Sequence, residues 1–422
     1  MQEAKGHIWL TREDARARVL EASRFSPRVE RIAVAQSVGR VCAADVASRQ
    51  SLPNAPSSRW DGVAVRYDDF AAGMPDTSGW REGREYAFSN TGIGIRGDYD
   101  TVVRIEEVSF DAEGRISFAA APAQRGALVM PVGATLEEGE PLARTGQTIT
   151  PELAALLAGG GWAEVDVYAR PRVAFIPSGN ELVDAGRELP LGKNVETNSL
   201  MAAAKLRAWG AEPLVRPIVA DDVGLLVEAL CEAVEDCDIV ILNGGSSKGT
   251  DDCAVPAIER VARVLCHAVL MGPGAHTSLS VTSEGVPVIG LSGPSGGAEC
   301  TIDWYVKPLV DRYFGLGFNE PPKVRARLLA ALDLSQRSSG SKVKMAVRCL
   351  LARSSDGFVA APMGVLPESL RLQYRGGNAF VFASGVGFAL GEEAEAELRY
   401  PYAFPPRAEG LFDDLESHAL VL

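Results

Sequence analysis

The chain has no block of lysines and arginines, no two cysteines at the Cys-x-x-Cys spacing, and no long apolar run. Each absence removes a class of function. Lys and Arg number 42 against 55 Asp and Glu, a formal net charge of -13, so the overall field repels a phosphate backbone and nucleic acid is excluded as a partner. An anionic ligand must then be held by local devices, such as backbone N-H groups at a helix start. The seven cysteines (Cys42, Cys231, Cys237, Cys253, Cys266, Cys300 and Cys349) are scattered and odd in number, and are expected to be reduced and mostly buried. The first twenty residues lack the roughly 7 to 15 apolar residues of a signal peptide, and nothing reaches the roughly 18 of a membrane span. A cytoplasmic protein without a membrane partner is the expectation. No repeat of 20 to 50 residues is present, which excludes solenoids.

What is present is enough for several cores: 422 residues, 46% of them hydrophobic, which predicts about three domains. A helix is expected from Thr11, where Thr followed by Asp14 resembles a capping box. The stretch SLPNAPSSRWDG is a loop leading into a strand at Val63 to Arg66. Short strands and glycine-rich turns follow to about 138, then a helix begins at Thr150-Pro151. Beyond Pro171, strands (RVAFIPSG, EPLVRPIV, CDIVILNGG, VPVIGLSG) alternate with helices (SLMAAAKLRAWG, DVGLLVEALCEAVED, CAVPAIERVARV), predicting parallel βαβ units from residue 172 to about 316. Ligands of such sheets sit beyond the carboxyl ends of the strands. The loops Pro177 to Asn180, Ala220 to Asp222, Asn243 to Asp252 and Ser292 to Ala298 are therefore the ones to watch. After the helix TIDWYVKPLVDRYFG the pattern is β again from about 323 to 400.

The loop Asn243-Gly-Gly-Ser-Ser-Lys-Gly-Thr-Asp-Asp252 places Gly244, Gly245, Ser246, Ser247, Lys248, Gly249 and Asp252 directly after an apolar strand. Glycines let a backbone approach a ligand, and hydroxyls with one lysine suit phosphate, so the functional reading is an anion cradle. The plainer reading is a βα turn whose glycines serve sterics alone. It is not a Walker loop, because the G-x-x-x-x-G-K-[ST] order is absent.

This loop resembles the SGGVSVG segment of the MoeA and gephyrin E-domain proteins, which insert molybdenum into molybdopterin. Further segments agree in order: LPNAPSSRWDGVAVR resembles their LPxxxxSxMDGYAVR, PSGNELV their STGDELV, and GLSGPSGGA their GLPGNPVSA. The resemblance runs from about residue 7 to about 400. It implies a multidomain α/β plus β fold: a central three-layer αβα MogA-like molybdopterin-binding domain, a β-rich inserted module, a mixed linker domain and a C-terminal β-barrel-like domain. The corresponding ranges are 7-52 with 139-171 for an elongated linker and dimerisation domain, 53-138 for the insert, 172-316, 317-404, and a tail at 405-422.

It also implies adenylylated molybdopterin and molybdate as substrates, Mg²⁺ held by carboxylates, and a homodimer. By motif position the acids carried over are Asp61, Glu181, Asp222 and Asp252, with Asp61, Glu181 and Asp252 as metal ligands. Ser178, Gly179, Ser292, Gly293 and His276 join the cradle residues as phosphate or substrate contacts. Each acid keeps a plainer reading: Asp61 sets a turn with Gly62, Asp222 caps the next helix, and Glu181 sits in solvent. Departures are as informative. Both lysines of the family's K-P-G-K-P loop are replaced, by Gly272 and Ala275, leaving Lys248 and His276 as substitutes. Ser292 and Ser295 stand in place of two prolines, with Pro294 in the Asn place, while Thr135 and Asn180 replace two acids.

Three readings result. One is a molybdopterin molybdenumtransferase with altered specificity. Another is a non-catalytic protein of the same fold that binds or delivers the pterin or finished cofactor. A third is a scaffold, for which no residue offers direct support.

Overall fold

The computed structural model describes residues 9-244, 253-335, 342-399, 405-416 and 419-421. The chain divides into two compact units, Arg28-Ala169 and the remainder, Met1-Pro27 with Arg170-Leu422. In the remainder, helix α1 (Arg12-Ala22) starts where Thr11 Oγ1 accepts the Asp14 N-H at 3.1 Å. Asp14 does not reach back as in a full capping box. Its carboxylate instead accepts the Thr11 hydroxyl at 2.8 Å.

Within Arg28-Ala169 the elements are β1 (Val29-Ala33), β2 (Gly62-Val65), β3 (Tyr86-Ser89), β4 (Thr101-Arg104), α2 (Pro151-Gly159) and β5 (Glu164-Tyr168). Strand β2 runs antiparallel between β3 and β4, burying Val63 and Val65 against Phe70, Tyr86, Val103 and Ile116. A Cβ at Gly62 would stand 2.1 Å from the Val103 carbonyl oxygen, so sheet crowding dictates the glycine of Trp60-Asp61-Gly62. Helix α2 begins as its sequence predicts, with Thr150 Oγ1 accepting from the Leu153 N-H at 3.2 Å and Pro151 in the first turn. Strands β1 and β5 pair antiparallel from Val29↔Tyr168 to Ala33↔Glu164.

The larger unit continues with β6 (Arg172-Pro177), α3 (Asn198-Ala208), β7 (Glu212-Val215), α4 (Val223-Asp236), β8 (Ile239-Asn243), α5 (Ala254-Val261), β9 (Arg263-His267), β10 (Met271-Gly272), β11 (Ser278-Val281), β12 (Pro287-Leu291), α6 (Ser295-Thr301) and α7 (Lys307-Tyr313). One sheet has the order β7-β6-β8-β12-β11-β9. Its first four strands are parallel, as the alternation of strands and helices predicts. The last two are additions that the sequence reading did not anticipate, with β11 antiparallel to both β12 and β9. The expected helix CAVPAIERVARV stops at Val261, and the chain from Arg263 becomes edge strand β9. On one face, Leu226, Leu230 and Ala233 of α4 and Ala257 and Ile258 of α5 pack on Ala174, Ile176, Val240 and Leu242. Helices α3 and α6 pack on one another and on the sheet, completing the three layers.

The C-terminal strands β13 (Lys323-Leu328), β14 (Lys344-Ser354), β15 (Gly357-Pro362), β16 (Ala379-Ala383) and β17 (Glu393-Leu398) close on themselves. Strand β14 pairs with both β15 and β16, β13 with β15 and β17, and β16 with β17, giving a five-stranded barrel. Closure removes the free edges that an open sheet would present. Strand β10 pairs parallel with the start of β14, which fastens the 270-276 loop to the barrel.

Arg12 joins α1 to that barrel through a two-pronged contact with Glu397, both distances being 2.9 Å. The pair is almost sealed from water, at 4% and 2% exposure, and the guanidinium lies 4.7 Å from the Phe382 ring centre. Burial works against the Arg12 charge, and the hydrogen bonds and charge of Glu397 outweigh it, holding its pKa above the usual arginine value. Glu397→Ala would leave that buried guanidinium with Glu13 alone, which accepts from its Nε at 2.9 Å. We expect a loss of about 3 to 5 kcal/mol in urea unfolding, whereas replacing both partners with apolar residues recovers most of it.

Candidate active site

Strands β6, β8 and β12 end side by side, and the end of β8 with the loops leaving β6 and β12 meets α3 around a cavity of about 460 Å³. Its floor is an amide clasp. Asn198 Nδ2, at the start of α3, donates to Asn243 Oδ1 at 2.8 Å and to the Gly293 carbonyl at 2.9 Å. Asn243 Nδ2, on the last residue of β8, donates to the Ser292 carbonyl at 3.1 Å. Both amides are buried, at 9% and 3% exposure, and such groups persist inside a protein only when bonded. The clasp ties the ends of β8 and β12 to a helix start.

Gly244 follows with φ +131, and a Cβ there would lie 2.0 Å from the Ser178 carbonyl oxygen. The glycine is therefore demanded by the approach of the β6 and β8 termini, which supports the steric reading of this position whatever it does for a ligand. Gly245, Ser246, Ser247, Lys248, Gly249 and Asp252 lie outside the described residues.

On the β6 side, Ser178 and Gly179 are buried and Glu181 is an exposed residue on the cavity wall. A Cβ at Gly179 would meet a Glu181 carboxylate oxygen at 2.6 Å, so the small residue leaves that carboxylate its place. Of the two acids in Ala220-Asp221-Asp222, it is Asp221 that faces this loop. Its carboxylate accepts the Ser178 hydroxyl at 3.2 Å and the Asn180 N-H at 3.0 Å. Asn180 Oδ1 accepts the Asp221 N-H in return, at 3.3 Å. Lys193 donates to the Asn180 carbonyl at 2.6 Å. Asp222 caps α4, accepting the Leu225 N-H at 3.0 Å. Glu196 is 8% exposed and accepts both the N-H and the hydroxyl of Ser199 at the first turn of α3.

The 271-277 loop carries the substitutions for lysine. At Gly272 a Cβ would lie 2.8 Å from Met345 Sδ, so a long side chain there requires Met345 to move. Gly274 has φ +94 against Thr301, and Thr277 Oγ1 contacts Thr301 Oγ1 at 2.8 Å. His276 is half-buried on this loop and is not among the residues lining the cavity. Ser292 and Gly293 contribute their carbonyls to the clasp, and the Ser292 hydroxyl would block any Cβ at Gly297, approaching to 2.4 Å.

Asp61 belongs to the Arg28-Ala169 unit. One of its oxygens accepts the Thr91 N-H at 2.7 Å and the Thr91 hydroxyl at 3.0 Å, and these bonds hold its carboxyl below the usual aspartate range. Among the described residues no group of three His, Cys, Asp or Glu stands close enough to hold a metal ion. Mg²⁺ commonly takes one or two carboxylates and completes its shell with phosphate oxygens and water. At the cavity Glu181 is the acid with no hydrogen bond or ion pair among the described residues, while Asp221 and Glu196 are engaged by neighbours. The described residues alone thus do not make a magnesium site.

Asn198, Asn243, Asp221 and Glu196 escaped sequence reasoning. Each is a short polar or acidic residue at the end of an element, where a cap or a turn is the ordinary explanation. No local signal distinguishes Asp221 from Asp222, since the backbone direction entering α4 decides which one caps.

Residues 10-161 match the family model described as the MoeA N-terminal region, domains I and II, and residues 174-312 match that of a probable molybdopterin binding domain. A molybdopterin molybdenumtransferase of Haemophilus influenzae is 27% identical over 340 residues, spanning 78% of this chain and 83% of that protein. One from Bacillus subtilis is 27% identical over 376 residues, spanning 84% and 86%. The crystal structure of a molybdopterin biosynthesis MoeA protein from Pyrococcus horikoshii superposes with a TM-score of 0.74 at 26% identity, covering 93% of this chain and 99% of that one.

Two measurements separate these roles. Asp222→Ala should lower stability by about 1 kcal/mol, the usual effect of losing a helix cap, and leave ligand affinity intact. Asp221→Ala should instead release Ser178 and Asn180 and weaken ligand binding in calorimetry; equal binding by both variants would refute the distinction. Thr91→Ala should raise the Asp61 pKa only part of the way toward the ordinary value, because the Thr91 N-H remains, as followed by carboxyl carbon NMR. Thr91 thus extends the pH range over which Asp61 is ionised downward, and the variant loses that ionisation at a higher pH.

Proposed function

The chain belongs to the MoeA family, and on that premise we propose that it inserts molybdate into adenylylated molybdopterin and releases AMP. The observation that carries this reading is the clasped cavity at the carboxyl ends of β6, β8 and β12. Parallel sheets place ligands at this edge, and here the amides are locked before a ligand arrives. In the proposed reaction a water oxygen bonds to the pterin-side phosphorus, the phosphoanhydride P-O bond breaks and AMP leaves with the electron pair, while the two dithiolene thiols bond molybdenum and two molybdate oxygens depart as hydroxide carrying the thiol protons. The Gly179 and Gly244 backbones bring the loops close, Ser178 is oriented by Asp221, and Glu181 supplies the open carboxylate.

Mg²⁺ would neutralise charge on the bridging phosphates, and Asp61, Glu181 and Asp252 are its proposed ligands by motif. We further propose a homodimer, a cytoplasmic location, and the division 7-52 with 139-171, 53-138, 172-316 and 317-404 as domains. No helix among the described residues is long and apolar enough to cross a membrane.

Gly272 backed by Met345, with Ala275 nearby, favours a second reading. A site built without these two cations holds a pterin ester for delivery and does not turn it over. Incubating purified protein with adenylylated pterin, molybdate and Mg²⁺ decides between them. Transfer predicts AMP release above background, reduced on the order of tenfold or more by Glu181→Gln. Tight pterin binding with no AMP release replaces transfer by delivery, and neither binding nor release refutes both.

A further inference from the structure

The opposite, amino-terminal edge of the six-stranded sheet carries an arginine-lined groove that the proposed reaction does not use. Helix α5 runs back from the carboxyl edge, so its end, the start of β9 and the turn between β11 and β12 all lie at this second edge. Two adjoining hollows of about 540 and 420 Å³ share Ala22 and Arg263. Arg24, Arg260 and Arg263 line the first, and Arg18 and Arg263 the second. All four are exposed, and none forms an ion pair among the described residues. Two carboxylates, Glu21 and Glu259, accompany them, so four guanidinium groups outnumber the acids on a chain whose net charge is -13.

The groove is also built. Arg24 is seated by its own N-H, which donates to the Gly285 carbonyl at 3.0 Å. Gly285 has φ +94, and a Cβ there would stand 2.7 Å from Arg24 Cβ, so the contact requires glycine. The wall between Arg263 and Leu265 is the edge strand of the sheet, and the Leu265 carbonyl receives Arg18 at 3.3 Å. An extended chain matches an edge strand, and carboxylates match guanidinium forks that form no ion pair among the described residues.

We propose that this groove docks an extended, acidic segment of a partner protein. Charge complementarity selects the sign, and the open trough beside an edge strand selects a chain over a compact ion. The chain's net charge of -13 works against a continuous phosphate backbone.

Fluorescence anisotropy of the full chain with a labelled glutamate-rich peptide tests this at low ionic strength. Saturable binding is expected, weakening as salt rises. The pair Arg24→Glu with Arg263→Glu should reduce affinity at least about tenfold while AMP release and the thermal transition stay as in the parent. If that pair fails to fold, Arg24→Gln with Arg263→Gln should show a smaller loss in the same direction. No saturable binding by the parent chain, or unchanged affinity in the folded variants, overturns the proposal. A DNA duplex that binds more tightly than the peptide and loses affinity in the same variants overturns the assignment to a protein segment.

Discussion

The cavity depends on three amide hydrogen bonds among Asn198, Asn243 and the loop after β12. A buried amide left without partners costs roughly 1 to 3 kcal/mol, so each asparagine here is stable only because the other and a carbonyl of the loop after β12 stand opposite. The bond between them joins residues 45 positions apart in sequence. With Gly244 pressed to the Ser178 carbonyl, it fixes the ends of the two central strands in one geometry. The walls of the cavity are consequently set by the sheet and not by a ligand.

The loop that lost its lysines is fixed in another way. Strand β10 pairs with β14 of the barrel, Met345 occupies the space beside Gly272, and Thr277 and Thr301 hold the following turn to α6. Restoring a lysine at 272 therefore involves the barrel as well as the loop. Close by in the fold, Glu299 of α6 takes Arg348 and Arg399 from the barrel, while Lys205 of α3 bonds Asp303 at 2.6 Å. The barrel is tied to the α/β layers by charge here and by Arg12 with Glu397 at α1. Partly buried pairs of this kind gain from geometry what they lose in hydration.

What was legible in the sequence was what is local. Thr11 and Thr150 announce their helices because a cap involves residues three apart. The apolar runs at 172-177, 239-243 and 287-291 announce buried parallel strands because both faces are covered. The β9 and β11 additions were hidden, since RVLCH continues the apolar pattern of α5 and only pairing with Ser278-Val281 makes it a strand. The amide clasp was hidden for the same reason, its two halves being unremarkable until the sheet brings them together. The resemblance supplied the architecture, and the chain's own contacts supplied Asp221, Asn198 and Asn243.

Where the family motif has an acid, Asn180 gives its N-H to Asp221 and takes the Asp221 N-H on its side chain. An aspartate at 180 would set a second carboxylate beside Asp221 and repel it. Two acids are lost relative to the family motifs, at Thr135 and Asn180, and two lysines, at Gly272 and Ala275. The described cavity floor is amide and backbone, with the Glu181 and Glu196 carboxylates on its lining, and a ligand anion there meets donor dipoles and no lysine among the described lining residues. Fixed dipoles in a preformed cavity stabilise an anion without reorganising. They also attract it less from a distance than lysines do, so the substitutions shift recognition from long-range charge toward close fit.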